Sequence, residues 1–165
     1  MAYAHWEGYV ITSARALLAY VSGLRLTYAE LADSYVALCF AGKLLGADQS
    51  TRRIQRHIDV VTAMRQSSVQ ALFPSPVRVI HGEGNLKADK FHDIVLRLSL
   101  DAAPFELHYK WLDSELLRRR NNIAHGQVES IDADFARDAL TTVGRLIDAF
   151  RTTAQNAAVL EVFKT

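Results

Sequence analysis

Asp132 to Phe150 reads DADFARDALTTVGRLIDAF, and it places Phe135, Leu140, Val143, Leu146, Ile147 and Phe150 in a heptad-like rhythm behind Asp132, a natural N-cap. Apolar residues recurring every three to four positions line one side of an α-helix, whereas a strand would alternate them. The spacing predicts a long terminal helix with its stripe turned inward.

The same period runs back through the chain. A first helix is expected from Tyr3 to Gly23, with Trp6, Val10, Leu17 and Val21 buried. A second is expected from Thr27 through Leu45, with Glu30 completing a capping box. A third, capped by Ser50 or Thr51, carries Ile54, Ile58, Val61 and Met64 on one face and ends near Phe73-Pro74. Pro74 to Asn85 reads as loop. A fourth helix is expected over Lys87 to Leu100 with Phe91, Ile94, Val95 and Leu98 as its stripe. A fifth covers Glu106 to Ala124, with Leu112, Leu116 and Ile123 inward.

Helix formers dominate, only 3 prolines occur, and half of the 165 residues are apolar, enough to bury a core in one domain spanning 1–165. Short connections favour antiparallel neighbours, so the expected class is an all-α, up-and-down bundle of about five to six helices. The single cysteine, Cys39 in the run VALCF, excludes a disulfide framework and a cysteine-based metal site within one chain. No apolar run reaches membrane-spanning length and the start lacks a signal pattern, so a cytoplasmic location without membrane association is expected.

Net charge is only +1, so any attraction to nucleic acid has to come from local patches. One lies between Arg52 and Arg65 and another between Lys110 and His125. The second contains RRRNNIAHG, Arg118 to Gly126, which sets an arginine, an asparagine and a histidine at the end of a helix. A guanidinium grips phosphate oxygens in its planar fork, and an imidazole moves protons near neutral pH. Together they suit metal-free phosphodiester chemistry.

Spacing alone is weak support. With 14 arginines and 6 histidines, a histidine five to seven places after an arginine arises about 1.5 times by chance, and Arg52 with His57 is such a decoy. Arg120 and His125 stand apart by context: Asn121 follows the arginine, Ile123 and Ala124 are apolar, and Gly126 closes the helix in a left-handed position. A helix end also collects cations for its dipole alone. Five residues apart, Arg120 and His125 diverge by roughly 140° around an ideal helix. A second copy of the helix across a two-fold axis brings both groups to one phosphate, so a homodimer is expected. Asn121, four residues before His125, shares its face and can orient the ring. Arg118, Arg119 and Lys110 are the expected contacts to RNA backbone. His81 in the glycine-flanked loop and the Asp89/His92 pair are weaker candidates, the latter lacking further metal ligands.

Three segments resemble the HEPN superfamily, and within it the MAE-type HEPN-like nucleases: AHWEGYV (Ala4 to Val10), GEGNLKADKFHDIVLRLSLD (Gly82 to Asp101) and ELLRRRNNIAHGQ (Glu115 to Gln127). The resemblance implies a helical bundle that dimerises through its motif-bearing helices and a metal-independent endoribonuclease without cofactors. Its catalytic residues are then Arg120, Asn121 and His125. It also implies a toxin of a toxin-antitoxin or defence system, with RNA as substrate and a cognate antitoxin as partner. A non-catalytic RNA- or nucleotide-binding dimer is the alternative. Members usually carry a helix ahead of the AHWEG segment, so preceding sequence is expected to be missing here. Some toxins place a tyrosine, a target of modification, two residues after the histidine; Gln127 stands there instead.

Overall fold

The structure is a computed structural model describing residues 2–48, 54–82, 84–128 and 131–165. Helices α1 (Ala2–Gly23), α2 (Asp33–Asp48), α3 (Ile54–Arg65), the single turn α4 (Pro76–Val79) and α5 (Ala88–Arg97) come first. Next α6 (Tyr109–Trp111) continues through a π-helical segment, Leu112–Leu117, into α7 (Arg118–Ala124), and α8 (Ala133–Val159) closes the chain. The protein is all-α, and only two isolated bridges, Thr27 to Gln70 and Leu31 to Lys164, break the helical pattern among the described residues. Since α6, the π-helical segment and α7 run on as one rod, the long helices expected from the apolar period are all present.

Helices α1 and α8 pack along each other as the spine. Trp6, Val10, Leu17 and Val21 are buried on α1, and Val143, Leu146 and Phe150 on α8. The Asp132 carboxylate accepts from the Phe135 N–H at 2.6 Å, the cap that the sequence anticipates. Phe91 is the hub that ties this spine to the other elements. Its ring centre lies 4.9 Å from Trp6, 5.1 Å from Phe105 and 5.9 Å from Phe150, largely in the edge-to-face or tilted arrangements that aromatic quadrupoles prefer. Phe163 is fully buried near the C-terminus, where its carbonyl accepts from the Ala32 N–H at 2.8 Å.

Four expectations are corrected. Thr27 and Glu30 do pair, the Glu30 carboxylate accepting from both the Thr27 N–H (2.8 Å) and its hydroxyl (2.7 Å), but they close a single 3-10 turn and α2 starts later, at Asp33. The two N–H···O and O–H···O bonds hold the Glu30 carboxyl below its usual range. Helix α3 ends at Arg65 rather than near Phe73, and its stripe faces outward: Ile54, Ile58, Val61 and Met64 are all exposed, and only Val60 is buried. Periodicity identifies an apolar face but says nothing of which element covers it. The proposed caps Ser50 and Thr51 lie outside the described residues. Leu140 and Ile123, both expected inward, are exposed at 58% and 52% because each borders an open cavity rather than the core. The Pro74 to Asn85 loop contains one helical turn, where Pro76 at the first position presets the backbone.

Candidate active site

The motif-bearing rod departs from a regular helix just before its arginines. Over Leu112–Leu117 the hydrogen bonds widen to the i→i+5 pattern, so Leu112, Leu116 and Leu117 can all turn inward. Leu116 and Ile123, seven residues apart and so on one face of the rod, both border the cavity described below. The rod's end follows the sequence closely. Gly126 takes φ +72°, its N–H donates to the Ile123 carbonyl at 3.0 Å, and the Gln127 N–H donates to the Asn122 carbonyl at 2.9 Å. This pair of bonds is the Schellman closure, and His125 is the last residue before it.

A collar formed by residues 80–82 and 84–88 is fixed against this rod and against α1. Arg15 donates to the Ile80 carbonyl at 2.7 Å, the Leu86 N–H donates to the Tyr3 hydroxyl, and the Asp113 carboxylate accepts from the Ala88 N–H at 2.9 Å. Two glycines permit the close approach. A Cβ on Gly82 would stand 3.1 Å from the Ile11 side chain and 3.3 Å from a Glu7 carboxylate oxygen. Gly84 has φ +68°, and a Cβ there would stand 3.3 Å from Nη2 of Arg120. Gly84 thus takes a backbone conformation suited to a turn within the expected loop, while Glu83 lies outside the described residues.

Arg120 is half-buried and held from several sides. Its Nη1 donates to the Asn121 side-chain oxygen at 2.7 Å, and its guanidinium carbon sits 5.4 Å from the Tyr3 ring centre. Asn121 therefore places its side chain on the arginine, and it reaches His125 only through the backbone, where its carbonyl accepts the His125 N–H at 2.9 Å. His125 is exposed. Among the described residues no hydrogen bond joins the Arg120 guanidinium to the His125 ring, in keeping with their angular divergence on α7.

Next to Arg120 a cavity of about 450 Å³ opens between α1, the rod and the start of α8. Tyr3, Glu7, Arg119 and Arg120 contribute its polar wall, and Leu116, Ile123, Phe135 and Leu140 its apolar one. His125 is not part of that wall. Tyr3 and Glu7 are site residues that the motif search passed over. Their signal was available: at i and i+4 they share one face of α1, and both sit within or beside AHWEGYV. The Tyr3 hydroxyl is pushed up to about 12, first by burial and then by the adjacent Glu7 carboxylate, against the lowering pull of the Leu86 N–H and Arg120. One Glu7 oxygen, Oε1, is shut off from solvent with no hydrogen-bond donor, as is Oδ1 of Asn85 on the collar.

The other cations differ in what they do. Arg119 is half-buried, pairs with Glu115 at 3.2 Å, and stacks its guanidinium 4.2 Å over Phe135, so it builds the cavity wall. Arg118 is exposed, its Nε donating to the Ser114 carbonyl at 2.8 Å, and Lys110 is exposed on α6. Away from this site, Asp89 accepts from the next backbone N–H at 2.7 Å and the His92 ring lies 3.1 Å from the Tyr109 hydroxyl, so each has a structural partner. His81 is exposed on the collar. Burial pushes the half-buried Cys39 thiol up to about 11, which leaves it a poor nucleophile. Among the described residues no helix is long and apolar enough to cross a membrane.

Comparison with known proteins adds one finding. The family described as HEPN_MAE_28990:/-like HEPN matches residues 1–161, nearly the whole chain, including all three segments that meet around Arg120. No curated protein and no solved structure matches.

Proposed function

This chain belongs to the MAE-type HEPN-like family, and from that premise we propose that it is a metal-independent endoribonuclease acting as a homodimer. The observation that carries the reading is the holding of Arg120. Tyr3, just ahead of the first family-like segment, Gly84, within the second, and Asn121 beside it aim one guanidinium at a cavity edge. A pre-aimed cation of this kind stabilises charge that develops in a transition state.

In the proposed reaction, His125 takes the proton from a ribose 2′-OH and the freed oxygen attacks the adjacent phosphorus. Arg120 stabilises the negative charge on the pentacovalent phosphate, with Asn121 fixing the fork. The bond to the 5′-oxygen then breaks, and the leaving oxygen takes a proton from water while His125 releases its own to solvent. The products are a 2′,3′-cyclic phosphate and a 5′-hydroxyl end. Because Arg120 and His125 diverge on one helix, two facing copies of α7 supply the pair that one copy does not. Arg118 and Lys110 guide the RNA backbone as exposed point charges. In the cell the activity fits a toxin or defence nuclease held in check by a cognate antitoxin.

The test is incubation of single-stranded RNA with the protein in EDTA, followed by mapping of termini. Cyclic-phosphate ends from wild type and none from His125→Ala support the mechanism; equal cleavage by both, or loss of cleavage in EDTA, removes it. A second reading has one observation in its favour, since His125 stands apart from the cavity that holds Arg120. The same surface then binds RNA or a nucleotide without cutting it, and steep salt dependence with no product is its signature.

A further inference from the structure

The cavity beside Arg120 has three properties that together specify a ligand. Its broad wall is apolar and includes an aromatic ring, supplied by Leu116, Ile123, Phe135 and Leu140. The Arg120 guanidinium lies on the polar wall, so the ligand carries an anion. The third property is the most selective: Glu7 lines the cavity, and its Oε1, packed against Gly82 at the edge of the collar, is buried without a donor. Native proteins rarely leave such acceptors unmet, because a buried acceptor without a donor forfeits its hydration.

We infer that this cavity seats a guanine base, with Glu7 as the specificity-determining residue that accepts from its N–H edge. This inference rests on the nuclease reading of the same site for the placement of the phosphate at Arg120. A flat ring suits an apolar slot and a phosphate suits the guanidinium, so the ligand is a nucleotide. A carboxylate only accepts hydrogen bonds and has two oxygens in one plane. Among the four bases of RNA, guanine alone offers two adjacent donors, the ring N1–H and the exocyclic amino group. Adenine and cytosine offer one amino group beside a ring nitrogen whose lone pair would face the carboxylate, and uracil's one N–H is flanked by carbonyls. Those mismatches reject the other bases as well as failing to hold them. The terminal torsion of a glutamate is soft, so the carboxylate can turn from Gly82 to meet the incoming edge. Arg119 and Glu115 neutralise each other at the rim, which leaves Glu7 to read the base.

The experiment measures binding on the His125→Ala protein, so that cleavage does not interfere. Fluorescence anisotropy compares pentauridylates carrying one central guanosine, inosine or adenosine, and free guanosine 5′-monophosphate competes in a separate arm. Guanosine should bind about tenfold or more tighter than adenosine, with inosine between, since it keeps N1–H but lacks the amino group. Glu7→Gln, which swaps one acceptor oxygen for a donor, should bring the preference below about twofold while leaving salt-dependent binding in place. Leu140→Trp, at an exposed position on the cavity rim, fills the slot without touching the core and should also erase the preference. Equal affinity for all three RNAs, or a preference unchanged in both variants, overturns the inference. If the free nucleotide competes as well as the RNA does, the base is confirmed and the ligand is a nucleotide rather than a chain. Guanosine-selective binding with no cleavage by wild type would end the nuclease reading and keep this one. Cleavage without base preference would do the reverse.

Discussion

The Arg120 guanidinium carbon stands 5.4 Å from the centre of the Tyr3 ring, so the first turn of α1 faces the motif arginine from the opposite end of the sequence. Cation and ring attract, and the contact fixes the azimuth of a side chain that would otherwise sample many rotamers. With Asn121 on one nitrogen and Gly84 beside another, Arg120 is positioned before any substrate arrives.

Arg120→Lys keeps the charge and loses the planar fork. Cleavage in single-turnover assays should fall by about a hundredfold, near the cost of removing one aimed donor from an oxyanion site, while thermal stability changes little. Activity within a few-fold of wild type would show that a point charge is sufficient.

Gly84 and Gly126 form a matched pair. Both have positive φ, and an alanine at either should cost about 1 kcal/mol or somewhat more, read as a fall of a few degrees in Tm. A Cβ at Gly126 meets nothing within 4 Å, whereas one at Gly84 meets Arg120. RNA affinity should therefore drop in Gly84→Ala and stay near wild type in Gly126→Ala; equal affinity in both would detach the collar from the site.

Tyr3 gives the site a signature at alkaline pH. Its pKa is raised from 10.0 to about 12, so the folded protein keeps a proton that the unfolded chain releases in that window. The stabilisation is complete below pH 10 and is lost as pH climbs toward 12, amounting to as much as about 2 to 3 kcal/mol. Cys39 and Tyr35, also raised, contribute in the same range, so the readout is the difference between wild type and Tyr3→Phe. Urea melts at pH 9 and pH 11.5 should show a smaller loss in the variant. Identical losses would place the tyrosine's proton outside the fold.

His125 is exposed at a helix end, so its role should be chemical and not structural. His125→Ala should melt with wild-type Tm and bind RNA with near wild-type affinity, with cleavage reduced by a factor of about 10² to 10⁴. A large drop in Tm would mark the ring as part of the fold.

Much of this arrangement was legible in the sequence. The stripes of α1, α5 and α8 named Trp6, Phe91, Val143, Leu146 and Phe150 as core, because two packed sides leave a clear 3.6 period. The left-handed Gly126 and the Asp132 cap followed from residue chemistry alone. Three things were hidden. The π-helical turn at Leu112–Leu117 has no proline or glycine to announce it. The outward stripe of α3 is indistinguishable by period from an inward one, since only tertiary contacts decide which side is covered. Tyr3 and Glu7 carry only the weak signal of a shared helix face, because a site formed from α1, a loop and α7 is contiguous only after folding.

The account turns on Arg120 and His125 reaching one phosphate from facing subunits, and mixing two inactive proteins tests this most directly. Arg120→Ala and His125→Ala, combined at equal amounts and allowed to exchange subunits, form mixed dimers in about half of the population, each keeping one intact arginine-histidine pair. Cleavage should return to about a quarter of the wild-type rate. A mixture as silent as its two components, with subunit exchange verified, would contradict the shared site.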